Sequence, residues 1–204
     1  MEHSEPHPIG IRQRMRETIR GELTDAAVRL VQEVGFTGTT ASAIASAAGV
    51  SERTFFRYFP TKEDAVLQPT ESLGSSVAKA VAARPPRETS LQAFRAAFDV
   101  AVDSVMATPE RWATVIALGQ SEPALRRRHL QQQDVWAQAL AAANDERMGL
   151  PTGTMESRLH SGVMMLAWER ALVACAGDND FSRVGAELDT AIGEIRRFVQ
   201  TVVQ

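Results

Sequence analysis

The run Thr39-Thr40-Ala41-Ser42-Ala43-Ile44-Ala45-Ser46-Ala47-Ala48-Gly49-Val50-Ser51-Glu52-Arg53-Thr54-Phe55-Phe56-Arg57-Tyr58-Phe59 carries, in order, the parts of a helix-turn-helix. Such a unit needs a small residue where its two helices touch, a glycine at the turn, and a hydrophobe that pins the second helix to the first. Ala45 stands four residues before Gly49 and Phe55 six after it, so contact, turn and anchor fall in the expected places. Thr40 is placed to cap the first short helix, and Gly49 to close it, because only glycine enters the left-handed conformation without strain. Ser51 is placed to cap the second helix, which runs out near Phe59 and Pro60. Outward on that helix remain Glu52, Arg53, Thr54, Phe56 and Arg57, with Ser51 and Tyr58 at its ends. An aromatic core accounts for Phe55 and Phe59, but it gives Arg53 and Arg57 no reason to sit beside it.

Upstream, Ile19, Leu23, Ala27, Leu30 and Val34 recur every three or four residues, which predicts an amphipathic helix ended by Gly35. Arg12, Arg14, Arg16 and Arg20 lie near its start, opposed by Glu17 alone, and can reach backbone phosphate or simply face solvent. The whole chain of 204 residues has a net charge of −3, so bulk charge announces no nucleic-acid partner. Its distribution is more informative. Residues 1–62 carry 8 Lys and Arg against 7 Asp and Glu, whereas residues 63–204 carry 14 against 18.

Downstream, Thr61 restarts the chain as a helix, with Asp64 in a capping-box-like position and Pro69 predicting a kink. Further helix starts are read at Thr89, with Gln92 three residues on, at Thr108 before Pro109, and at Ser121. Phe94, Phe98 and Val102 fit one stripe, Trp112, Val115 and Ile116 a second, and Trp136 with Leu140 a third. A loop over 148–154 precedes two long helices, about 154–176 and 181–203. Their apolar faces gather Leu159, Val163, Leu166, Trp168 and Leu172, then Val184, Leu188, Ile192, Ile195, Phe198, Val199 and Val202. The fold class is therefore all-α: a three-helix domain with the helix-turn-helix over 1–65, and a helical bundle over 66–204. Small residues on the last two helices, Gly162, Ala167, Ala171, Ala174, Gly185 and Gly193, allow close approach and predict a four-helix dimer interface as well as packing within the chain.

In Thr39-Thr40, Ile44-Ala45, Ala48-Gly49-Val50-Ser51, Thr54, Tyr58-Phe59 and Lys62 the chain resembles the TetR family of bacterial regulators, closely over about its first 65 residues. Phe55-Phe56-Arg57-Tyr58-Phe59-Pro60-Thr61-Lys62-Glu63-Asp64, with Glu122-Pro123-Ala124-Leu125-Arg126-Arg127-Arg128-His129-Leu130, is locally similar to an actinobacterial subgroup associated with acyl-CoA-like ligands. The resemblance implies a homodimer that binds a palindromic operator in double-stranded DNA, acts as a repressor, and is released by a small-molecule effector. It implies that the recognition helix, 51–57, enters the major groove while Thr40, Tyr58 and Lys62 hold phosphates. The residue chemistry agrees, since Arg53 can pair with guanine, Thr54 and Phe56 can meet a thymine methyl, and Lys62 adds charge at a helix start. Phe56 departs from the tyrosine common in the family and cannot make that hydroxyl's phosphate bond.

An effector of apolar or acyl type is expected among Phe94, Phe98, Trp112, Ile116, Trp136, Leu140, Met164, Met165 and Trp168, each of which is also a good core residue. His129 and His160 have no partner at metal spacing, so surface or capping roles lead and neither metal nor cofactor is expected; Arg126, Arg127 and Arg128 read as a solvated face, although an anionic ligand such as a CoA thioester would need such a neighbourhood. Cys175, the single cysteine, reads as a buried packing residue. No nucleophile with a base, Gly-rich phosphate loop or His-Glu-x-x-His supports the rival reading of a small helical enzyme. A regulator that binds DNA without an effector remains the nearer alternative. No run approaches a membrane span and the polar start over 1–8 lacks a signal peptide's apolar stretch, so a cytoplasmic protein is expected.

Overall fold

A computed structural model describes residues 11–202, and among them every regular element is a helix. The chain divides into two compact units, Met1–Val66 and Leu67–Gln204. The polar start over 1–8, residue 203 and the side chain of Val202 lie outside what is described.

In the first unit, α1 spans Ile11–Gly38, α2 Ala41–Ala47 and α3 Glu52–Tyr58, and α4 begins at Lys62. Gly35 adopts φ 76°, ψ 165° inside α1, so the helix breaks at the expected glycine and a further turn carries Phe36 into the core. Leu23, Ala27, Val31, Ile44, Ala45, Phe55 and Phe59 are buried with it. The Thr61 cap forms as read: Thr61 N donates to Asp64 Oδ2 at 3.1 Å and Asp64 N to Thr61 Oγ1 at 3.2 Å. Pro69, where a kink is expected, lies inside α4, which continues to Ala82.

The second unit holds the rest of α4, then α5 (Ser90–Ala97), α6 (Asp99–Ala107), α7 (Pro109–Ser121), α8 (Pro123–Met148), α9 (Met155–Asp178), a 3₁₀ turn at Phe181–Arg183, and α10 (Val184–Val202). Thr89 caps α5 in a reciprocal capping box with Gln92. The Phe94 to Val102 stripe is split at Phe98, which ends α5 and precedes α6. Ser121 closes α7, and α8 starts instead at Pro123, where a missing N–H costs nothing. Helix α9 is central, packing against α5, α7, α8 and α10. It is apolar on two faces: Met164, Met165, Trp168, Leu172 and Cys175 face the core, while Leu159, Val163 and Leu166, expected beside Trp168 and Leu172, are exposed.

A buried polar clasp fastens one end of the second unit. Asp145, in the last turn of α8, accepts from Gly153 N at 2.6 Å, Thr154 N at 3.1 Å and Thr154 Oγ1 at 2.6 Å, which pins the loop into α9. Arg147 Nη1 donates to the main-chain oxygens of Pro85 (2.8 Å) and Glu88 (3.0 Å), and Asn144 Nδ2 to Ser157 Oγ (2.8 Å). Buried polar groups are tolerated because each of these bonds replaces water.

Candidate nucleic-acid interface and cavity

Each short helix of the first unit is held by its own side chains. Thr40 Oγ1 accepts from Ala43 N at 3.1 Å at the start of α2. Gly49 takes φ 69° and lets Val50 N reach back to Ala45 O at 2.9 Å, which turns the chain sharply into α3. Ser51 Oγ accepts from Thr54 N at 3.2 Å and lies 2.9 Å from Thr54 Oγ1. Phe55 is sealed beneath, its ring edge-on to Phe56 at 5.4 Å and tilted on Phe59 at 5.9 Å. That anchor orients the other face of α3 outward. Glu52, Arg53 and Arg57 are exposed, the Phe56 ring is 52% exposed, and Thr54 and Tyr58 are half-buried. Arg57 lies over the Tyr58 ring at 5.2 Å. An exposed phenyl has no core role, and an α-helix, about 10–12 Å across with its side chains, fits a major groove about 12 Å wide.

Lys62 is placed differently from its companions. Its Nζ donates to Phe36 O at 2.8 Å and Thr39 O at 2.9 Å, and lies 4.2 Å from the Phe36 ring centroid. Two of three ammonium protons are thus used inside the chain, on carbonyls where α1 ends, one of which, Phe36 O, also accepts from Thr39 N at 3.3 Å. Thr40, Ser51, Arg53, Thr54, Phe56, Arg57 and Tyr58 cluster on α2 and α3, while Lys62 fastens the segment that leads into them.

The second unit contains a cavity of about 270 Å³. Trp112, Ile116, Trp136, Met165 and Trp168 line it, together with Val115, Leu172 and Val173. Phe94, Phe98, Leu140 and Met164 do not; they are buried in the surrounding core, where Phe98 meets Trp168 edge-on at 5.5 Å. Arg126, Arg170 and Glu169 stand among the lining residues, so charges of both signs are present. The lining also includes Thr70, His129, Gln132 and Gln133, which an apolar stripe does not point to. The available signal was register: 129, 132, 133 and 136 share one face of α8. Burial pushes the His129 ring below its ordinary value, with the Glu169 carboxylate pulling the other way.

Burial pushes the Cys175 thiol up, consistent with a packing role. Among the described residues no three His, Cys, Asp or Glu side chains gather as a metal set, and no helix is long and apolar enough to cross a membrane.

Residues 23–68 match the model of the bacterial regulatory proteins, tetR family. The HTH-type transcriptional regulator TcmR of Streptomyces glaucescens is 38% identical over 95 residues, covering 47% of this chain and 42% of that protein. BetI of Burkholderia thailandensis, also an HTH-type transcriptional regulator, is 32% identical over 122 residues, 55% of this chain and 60% of its own. The chain spans about half the length of the curated relatives it matches. Among solved structures, the fatty acid degradation regulator FadR from Bacillus halodurans superposes with a TM-score of 0.59 at 19% identity, covering 87% of this chain and 96% of that one. The SmeT–triclosan complex gives a TM-score of 0.59 at 15% identity, covering 87% and 91%. The two superpositions show a shared fold.

Proposed function

We propose, from the match of residues 23–68 to the tetR family model and the likeness to TcmR, that the chain is a TetR-family regulator: a cytoplasmic, dimeric transcriptional repressor released from a palindromic operator by a small apolar or acyl-type effector. The observation that carries this reading is the exposed face of α3. Arg53, Arg57 and Phe56 stand outward on a short helix whose other side is locked by Phe55, an arrangement that stability alone does not call for. Arg53 and Thr54 read bases with Phe56, whose ring meets a thymine methyl in place of a hydroxyl contact to phosphate. Thr40, Ser51, Arg57 and Tyr58 set the register on the backbone.

Dimerisation is supported by the outer face of α9. Met155, Leu159, Val163 and Leu166 make a continuous exposed apolar stripe, with Leu159 60% exposed, and Phe198 and Val199 extend the apolar surface on α10. Contiguous apolar surface of that kind marks an interface. A two-fold dimer then presents two recognition helices to two half-sites.

The cavity supports an effector over a regulator without one. Its 270 Å³ falls just below the roughly 300 Å³ at which ligand pockets begin, and three tryptophans stand in its walls. FadR and SmeT, which share the fold, are a fatty acid degradation regulator and a triclosan-binding protein, in keeping with an apolar occupant. Release requires that the effector bind the DNA-free form better than the bound form. Linkage makes this testable. A ligand found by thermal shift must weaken operator binding by the same factor by which operator weakens the ligand. A ligand that occupies the cavity and leaves operator affinity unchanged would overturn the release mechanism.

A further inference from the structure

We propose that the effector carries a neutral hydrogen-bond donor, a hydroxyl or N–H, received by the side-chain carbonyl of Gln132; this rests on reading the tryptophan-lined cavity as the effector site. Among the residues that line the cavity, Thr70 and Gln132 are the two buried polar side chains, 6% and 7% exposed. A buried amide has to place all its polar atoms, so where they go defines what the cavity offers. Thr70 Oγ1 lies 2.6 Å from the main-chain oxygen of Leu67 and 2.6 Å from Gln132 Oε1. Both are acceptors, and a hydroxyl has one proton.

The Leu67 carbonyl has a fixed identity, whereas an amide can exchange its two ends by a half-turn. With Nε2 toward Thr70, Gln132 donates to Thr70 Oγ1 and Thr70 donates to Leu67 O, so every proton has a receiver. Oε1 then takes the other end of the amide. That end has no partner among the described residues and is not sealed off, and Gln132 belongs to the cavity wall. The buried amide of the cavity wall therefore presents an acceptor, fixed in that orientation by Thr70. A ligand with a donor satisfies it, whereas a ligand with only an acceptor sets two lone pairs against each other.

Calorimetric titration of the full chain with 2-naphthol, 2-methoxynaphthalene and naphthalene tests this, since the three share an apolar body and differ in donor. The wild type is expected to bind 2-naphthol about tenfold more tightly than 2-methoxynaphthalene, the size of one buried polar mismatch. Gln132→Leu should close most of that gap by weakening 2-naphthol. Thr70→Val, which frees the amide to turn, should close it by strengthening 2-methoxynaphthalene, and it serves alone if Gln132→Leu does not fold. Equal binding of the two oxygen-bearing probes, or a gap that survives in the folded variants, overturns the donor assignment while leaving the cavity as a site for apolar ligands. Failure of all three probes to bind the wild type overturns the cavity reading and this inference together.

Discussion

A Cβ placed on Gly74 would sit 2.1 Å from Nε1 of Trp136, so the indole that walls the cavity is seated against bare backbone of α4. Trp136 is buried and its Nε1 has no hydrogen-bond partner among the described residues, which leaves packing on Gly74 to hold the ring. Gly74→Ala should push the ring off that seat, at an overpacking cost of about 1–3 kcal/mol. Ligand affinity should fall with it. Denaturant melts and a ligand titration check both, and an unchanged melt would mean the ring has room elsewhere.

Lys62 separates two ways of losing DNA binding. Its two bonds to Phe36 O and Thr39 O make it a fastener of the α1 end, and charge-assisted bonds of this kind contribute about 1.5–3 kcal/mol each when lost. Lys62→Met should lower the melting temperature and weaken operator binding while leaving the slope of log K against log salt nearly unchanged. A slope that drops by about one in a variant of wild-type stability would instead make Lys62 a phosphate contact.

Asp145 gives the second unit an acid-sensitive clasp. Burial alone would raise its carboxyl, but the bonds from Ser157, Thr154 and Gly153 outweigh burial and hold it below the usual carboxylate range. A group lowered in the folded state stabilises above its unfolded value, 3.8, and that contribution is lost as pH falls through the lower folded value. Asp145→Asn should melt at lower temperature at pH 7 and show a shallower loss of stability below about pH 4 than the wild type. Parallel acid curves for the two proteins would contradict it.

The stripe on α9 predicts its own disruption. Leu159→Asp with Leu166→Asp should give a monomer by light scattering and lose operator binding by far more than either recognition helix accounts for alone, because half-sites bind weakly singly. A double variant that remains a dimer would move the interface elsewhere.

The helix-turn-helix was legible because its determinants are local. The Thr40 and Ser51 caps and the Gly49 turn bond within a few residues, and Phe55 identifies itself by spacing. Longer-range facts were not legible. The Lys62 partners lie 23 and 26 residues away, and nothing near Lys62 announces them. The break at Phe98 is hidden because Phe94, Phe98 and Val102 suit one continuous helix as well as two. On α9, apolar residues on both faces leave spacing unable to separate Leu166, which is exposed, from Trp168, which is buried. Gln132 carries no signal of its burial in the sequence; its partner Thr70 lies 62 residues away on α4.

Selection of bound duplexes from a random-sequence DNA pool tests the central claim most directly. The account predicts enrichment of a palindrome with two half-sites, and an Arg53→Ala protein that relaxes preference at one position in each half-site by about 1–3 kcal/mol. A pool that emerges without an enriched sequence, or one enriched identically by wild type and Arg53→Ala, would contradict sequence reading by α3.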